Sequence, residues 1–142
     1  YGNGVGTYSD RPHIDRQVTL IEAETLAALA RDHDVVLEAW EHRRNLTTGG
    51  VPLAHLVGRY FQVGACVLYG GRLNVPCRYL ESLLDKAVFR PLIHRSGLNA
   101  RIVLGGFVRP GDPIVAIDAD TLDPVLVADN ERHGLVPPPE VF

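Results

Sequence analysis

Between Tyr60 and Asn74 the chain alternates, with Phe61, Val63, Ala65, Val67 and Tyr69 on every second position. A period of two lines such side chains along one face of a strand, whereas a helix would scatter them around its circumference. Gly70-Gly71 then interrupts the run. A Gly-Gly pair suits a two-residue hairpin turn, whose central residues take positive φ. The stretch predicts a β-hairpin in which Tyr69 faces Arg72 and Cys66 faces Val75. Further strands are read at Ala100–Leu104 and Pro113–Ile117, punctuated by Gly105-Gly106 and by the Pro110-Gly111-Asp112 turn.

The hairpin leads into Asn74-Val75-Pro76-Cys77-Arg78-Tyr79-Leu80-Glu81. Leu80, Leu83 and Leu84 recur at the spacing of one buried helix face. Pro is favoured near a helix start, where the first N–H groups have no intrahelical partner. Cys77 is therefore expected at a helix N-terminus, beside Arg78. Unpaired N–H groups and a neighbouring positive charge favour a thiolate, the form that attacks or binds metal. The competing reading is a packing cysteine, since free Cys is among the most buried residue types. Cys66, on a strand in apolar surroundings, reads as core. A Cys66–Cys77 disulfide is not expected, because the two would share a face only if the strand ran on past Pro76.

A helix is predicted over Thr19–Asp32. Thr19 and Glu22 have the form of a capping box, and Leu20, Ala23, Leu26, Ala27 and Ala30 follow as a stripe. Glu22 and Glu24 suit its first turns and do not read as a catalytic pair. Val35–Trp40 is a short strand or a loop. Glu41–Gly50 then places Arg43, Arg44 and Asn45 before a Gly-Gly turn. Arginine forks suit phosphate or a polar heterocycle, and equally a solvated loop with surface ion pairs. Val51–Val57 is a short helical or turn segment. The alternating glycines of Tyr1–Asp10 depart from G-x-G-x-x-G and read as a loop first and an anion site second. His94, Arg95 and Arg101 are polar candidates near a site. The tail from Asp118 to Phe142, with Pro137-Pro138-Pro139, is expected as an extended arm on the surface or on a partner subunit, a route to a homo-oligomer.

The chain of 142 residues suits one domain. A net charge of -3 gives no reason to expect nucleic acid or an anionic membrane as partner. Thirteen of the fourteen basic residues are Arg and only Lys86 is lysine, so a Schiff-base cofactor such as PLP is not expected. Two cysteines make no disulfide framework, and no apolar run reaches membrane-spanning length. A reducing cytoplasm is the expectation. No Met occurs, even at position 1, so residues upstream of Tyr1 are expected. The sequence contains no C-x-x-C, H-E-x-x-H or G-x-S-x-G spacing.

Six segments in order carry a resemblance to a known family. They are VTLIEAETL (Val18–Leu26), RRNLTTGG (Arg43–Gly50), LVGRYFQVG (Leu56–Gly64), PCRYLE (Pro76–Glu81), SGLNARIVLGG (Ser96–Gly106) and RPGDPI (Arg109–Ile114). Together they resemble the MOSC domain, named for the C-terminal domain of molybdenum-cofactor sulfurase, in its small stand-alone bacterial form. The resemblance implies a mainly β, barrel-like domain with a few helices over residues 1–117, followed by a C-terminal extension, 118–142. It implies a molybdopterin-type cofactor. Cys77 is implied as the cysteine that carries sulfur as a persulfide or ligates molybdenum. Arg43, Arg44 and Asn45 are implied as residues facing the pterin and its phosphate. Arg59, Arg78 and Arg101 are further cofactor-binding candidates.

The function expected from this resemblance is sulfur handling or cofactor binding through Cys77, with a sulfur donor or a recipient molybdoenzyme as partner. The alternative is a molybdenum-dependent reductase of N-hydroxylated compounds, which would need an electron-donor protein. His55 stands where the family usually carries Asn before Leu-Val-Gly-Arg, so a non-catalytic binding module with a decayed site is the third reading.

Overall fold

The structure is a computed structural model that describes residues 13–134. The Gly-rich opening and the triple proline lie outside the described residues. Strand β1 (Val18–Glu22) runs into helix α1 (Ala23–His33). After β2 (Leu46–Thr48) come the hairpin β3 (Tyr60–Val63) and β4 (Cys66–Leu73), then α2 (Arg78–Leu84). Strands β5 (Leu98–Leu104) and β6 (Ile114–Ile117) and helix α3 (Pro124–Glu131) complete the order. Short 3-10 turns lie at Ile14–Arg16, Leu53–Leu56 and Ala119–Thr121. The strands form one sheet in the order β2-β1-β5-β4-β3-β6, curled into a half-barrel. Strands β1 and β2 are parallel, and the other neighbours are antiparallel.

The period of two decides where side chains go. Leu20, Phe61, Val63, Cys66, Leu68, Leu98 and Ala100 meet Leu53 and Leu56 in the core inside the curl. Ile21, next to Leu20, points the other way. It joins Leu29, Leu37, Leu80, Val88 and Leu92 in a second core that includes residues of α1 and α2. One sheet thus buries both faces, the outer one against helices.

Four expectations are corrected. The helix begins at Ala23, not Thr19, because residues 18–22 are a strand. Val18, Thr19 and Leu20 pair with β5, and Leu20, Ile21 and Glu22 with β2. Two ladders outweigh one local cap, and β-branched residues suit a strand. Thr19 bonds Asn45 instead of a helix end. Glu22 and Glu24 accept the backbone N–H groups of Leu53 (2.7 Å) and Gly50 (2.6 Å).

The hairpin reverses at Gly64-Ala65, so Cys66 faces Val63 and not Val75. Gly64 takes φ +56°. Gly70 and Gly71 lie inside β4 for a different reason. A Cβ on Gly70 would fall on the Leu56 carbonyl, and one on Gly71 would stand 2.6 Å from Asp15 Oδ1.

Leu83 is 48% exposed, so the buried stripe of α2 is narrower than its leucines suggest. Residues 119–131 are two short helices, not an extended arm. Asp123 caps α3 by accepting the Val125 N–H at 2.8 Å, with Pro124 following, a helix-start pair. Among the described residues, no helix is long and apolar enough to cross a membrane.

Candidate functional site

The chain leaving β4 is fixed at Asn74. Its N–H donates to the Gly97 carbonyl (2.7 Å) and its Nδ2 to Asn99 Oδ1 (2.5 Å). Its Oδ1 accepts from the Arg44 guanidinium (2.7 Å) and from Ser96 Oγ (3.2 Å). Pro76, which is buried, has a fixed φ and restricts Val75 before it. Cys77 follows in extended conformation, φ -128° and ψ 146°, as the N-cap of α2. Its carbonyl accepts the Leu80 N–H at 3.2 Å, while its side chain makes no cap hydrogen bond. The thiol is half-buried against the second core. Cys77 therefore stands at the predicted helix start and touches the core as well.

Cys66 is engaged elsewhere. It is buried on β4 and its thiol donates to the Gly106 carbonyl at 2.9 Å. Both cysteines are free thiols. The strand between them holds their backbones apart by on the order of 20 Å.

The Arg43-Arg44-Asn45 segment divides its side chains. Arg43 has φ +56°, a left-handed conformation that costs a non-glycine residue on the order of 1 kcal/mol or more. Its side chain is exposed, and that of Arg44 turns inward. The Arg44 guanidinium donates to the Ser96 carbonyl (3.2 Å), Ser96 Oγ (2.9 Å), the His42 carbonyl (3.3 Å) and Asn74 Oδ1. Asn45 Oδ1 accepts from Thr19 of β1. His42 is only 2% exposed. Its Nδ1 accepts the Arg44 N–H at 3.0 Å, which leaves Nε2 as the protonated nitrogen facing Thr47 Oγ1, also at 3.0 Å. Burial first, and the Arg44 charge second, hold the imidazole below its ordinary value, so it is neutral near neutral pH.

The remaining predicted residues differ in exposure. Arg59 is exposed beside Gly58. Arg78 is exposed, 4.6 Å over the Phe89 ring and 3.6 Å from Glu81. Arg101 is 2% exposed and pairs with fully buried Asp15. It also donates to the Asn130 carbonyl and side chain (3.1 and 3.2 Å) and to the Gly134 carbonyl. These bonds tie β5 to the N-terminal turn and to α3. Arg95 donates to the Pro91 carbonyl and meets His33, and His94 has φ +64°.

A cleft of about 540 Å³ lies between the two edge strands of the curl. Its walls include Asn45 to Gly49 on one side and Val108 to Ile114 on the other. Of the predicted site residues, Asn45 lines it; Arg43, Arg44, Arg59, Cys77, Arg78 and Arg101 do not.

The sequence reading missed His42, Asn74, Ser96 and Asn99. Asn99 carried a signal, because Asn is depleted in strands and this one interrupts an apolar run, the mark of a buried polar group with a partner.

None of the curated proteins matches the chain. Its fold resembles the crystal structure of YiiM from Geobacillus stearothermophilus, with TM-score 0.63 and 16% identity over 85% of this chain and 65% of that one. YiiM from Escherichia coli is similar at TM-score 0.61 and 19% identity, over 73% and 55% of the two chains. The YuaD protein from Bacillus subtilis is similar at TM-score 0.61 and 19% identity, over 78% and 71%. The chain thus spans less than two thirds of either YiiM protein. The family model for the MOSC domain matches residues 5–115, which include Cys77 and the Arg43-Arg44-Asn45 segment, and the chain belongs to the MOSC-domain family.

Proposed function

We propose that this chain binds a molybdopterin-type cofactor and uses Cys77 either to carry sulfur or to ligate molybdenum. The observation that carries this reading is the contrast between the two thiols. Cys66 is buried and bonded to a carbonyl, while Cys77 caps α2 with its sulfur making no cap bond and partly open to solvent. Among the described residues, no three His, Cys, Asp or Glu side chains come together to hold a bare metal ion. A single thiolate does suit a metal that arrives with most of its ligands on an organic cofactor, and Cys77 would supply that one bond. Exposed Arg43, Arg59 and Arg78 suit the cofactor's phosphate. Arg101 does not, because its donors are committed to Asp15, Asn130 and Gly134.

As a sulfur carrier, the Cys77 thiolate attacks the outer sulfur of a donor persulfide. The bond to that sulfur forms, the donor's S–S bond breaks, and the donor leaves as a thiolate. The partner is then a protein or small molecule bearing a persulfide, or a molybdoenzyme that receives the sulfur. Cyanide-releasable sulfur and molybdenum content are measured on the protein and on its Cys77→Ser and Cys66→Ser variants. Sulfur or molybdenum that is lost in Cys77→Ser and kept in Cys66→Ser supports the reading. Molybdenum together with reduction of an N-hydroxylated compound by a supplied electron donor selects the reductase. The absence of both sulfur and molybdenum from the unmodified protein overturns the assignment.

A further inference from the structure

We infer that Arg44 is a positioning residue for Cys77, acting through the side chain of Asn74. The inference rests on the reading of Cys77 as the functional thiol, and it gives Arg44 a role different from that of a cofactor ligand. The Arg44 guanidinium reaches Asn74 Oδ1 at 2.7 Å and Ser96 Oγ at 2.9 Å, and its Nε reaches the Ser96 carbonyl at 3.2 Å. Ser96 and Asn99 are 1% and 2% exposed while Arg44 and Asn74 are half-buried, so these bonds are partly shielded from water, which strengthens them. Asn74 is held at both ends of its amide, by Arg44 and Ser96 on the oxygen and by Asn99 on the nitrogen.

Only Val75 and Pro76 separate this anchor from Cys77. The proline ring fixes one of the intervening torsions and restricts the residue before it. An anchor at Asn74 therefore limits where the Cys77 backbone can go. On the far side, the Leu80 N–H holds the Cys77 carbonyl, and Leu80 is buried in the second core. The thiol stands between two fixed points, one polar and one apolar. His42 orients the polar one by accepting the Arg44 N–H at 3.0 Å from inside the protein. The left-handed turn at Arg43 sends neighbouring guanidinium groups opposite ways. Arg43 is left facing solvent, where a ligand can meet it.

The test is the alkylation rate of each cysteine by iodoacetamide, followed by peptide mapping. It needs neither molybdenum nor persulfide, so its outcome is separate from that of the sulfur and metal assays. Releasing Asn74 frees a half-buried thiol. Loss of one charge-assisted hydrogen bond is expected to raise the Cys77 rate by about tenfold in Arg44→Ala and in Asn74→Ala. Cys66 should stay at its original slow rate. Asn74→Asp keeps an acceptor for Arg44 and should stay within about threefold of the parent, with the Asn99 amide turning to donate. Arg132→Ala, at an exposed arginine paired with Asp129, should leave the Cys77 rate unchanged. The double variant Arg44→Ala/Asn74→Ala should match the single variants, since both remove one link. If Arg44→Ala proves too unstable to assay, Asn74→Ala against Asn74→Asp still decides. The proposal is overturned by unchanged Cys77 rates, by Cys66 accelerating in step with Cys77, or by additive effects in the double variant.

Discussion

Replacing Arg101 with Met removes a buried cation and leaves its partner behind. Asp15 is fully buried; its Oδ1 accepts from Arg101, and its Oδ2 has no hydrogen bond among the described residues. His13 Nδ1 stands 3.7 Å from Oδ2 but accepts the Asp15 N–H, so it gives that oxygen no hydrogen bond. Truncation also strips donors from the Asn130 carbonyl and side chain and from the Gly134 carbonyl. Removing one member of a buried pair costs about 3–5 kcal/mol, because the other charge is left desolvated and unpaired. A domain of this kind holds roughly 5–15 kcal/mol in total. Arg101→Met is therefore expected to lower Tm by about 10 °C or more.

The assay is urea unfolding followed by fluorescence and by circular dichroism, with linear extrapolation. The double variant Asp15→Leu/Arg101→Met should recover at least half of the loss, because two apolar groups replace two charges. A single-variant loss below about 1 kcal/mol, or a double variant no better than the single, would refute the argument. Cofactor affinity per folded molecule should be unchanged, since the guanidinium faces the inside of the protein. A stable Arg101→Met protein with lost affinity would put Arg101 back among the ligand-facing residues.

Cys77→Ser should unfold within about 1 kcal/mol of the parent, since Ser is a good N-cap and Cys77 makes no cap bond, while sulfur or molybdenum retention is lost; a marked fall in Tm with retention intact would make Cys77 a packing residue. His42 titrates below its ordinary 6.5 in the folded state, so between that lowered value and 6.5 the unfolded chain binds more protons. Its contribution to stability is fully present above about pH 6.5 and is lost as the pH falls through that window, and the slope should disappear in His42→Asn; an unaltered slope in urea titrations at several pH values counts against it. Gly97 has φ +102° and its added Cβ would fall on the Leu20 carbonyl, so Gly97→Ala should cost about 3 kcal/mol or more. Gly49→Ala, where nothing lies within 4 Å, should stay within about 0.5 kcal/mol, and equal effects of the two would contradict the geometry.

Period-two alternation was legible in the sequence because a strand sorts its own neighbours. Phe61 and Val63 announced β3, and Ala100–Leu104 and Pro113–Ile117 announced β5 and β6 with ends shifted by at most two residues. The alternation did not keep its phase into β4, because the turn at Gly64-Ala65 puts Cys66 and Leu68 opposite Val63 and Phe61 and sends Val67 to the face of Gln62. The start of α2 was legible for a similar reason. Pro76 and the leucines after it are a local signal, and they put Cys77 at the N-cap.

Other features depend on what lies opposite, which spacing does not contain. Thr19-Leu20-Ile21-Glu22 has a helix-start pattern, yet it is a strand because β5 and β2 arrive on both sides of it, from 78 residues away in the pair Leu20–Leu98 and 26 in the pair Leu20–Leu46.

 Leu20 itself faces Leu98 on one side and Leu46 on the other, and neither partner can be inferred from residues 19–22 alone. Gly70-Gly71 has the composition of a turn. It is strand because Leu56 and Asp15 press against it, and only the absence of a Cβ lets them do so. Arg44 and Arg101 look alike as exposed donors in the sequence. Which charge is buried and which faces a ligand depends on Asn74, Ser96, Asp15 and Asn130, and the chain brings those residues to the arginines only when the sheet has curled. Local periodicity is a property of neighbours along the chain, whereas burial and hydrogen-bond partnership are properties of neighbours in space.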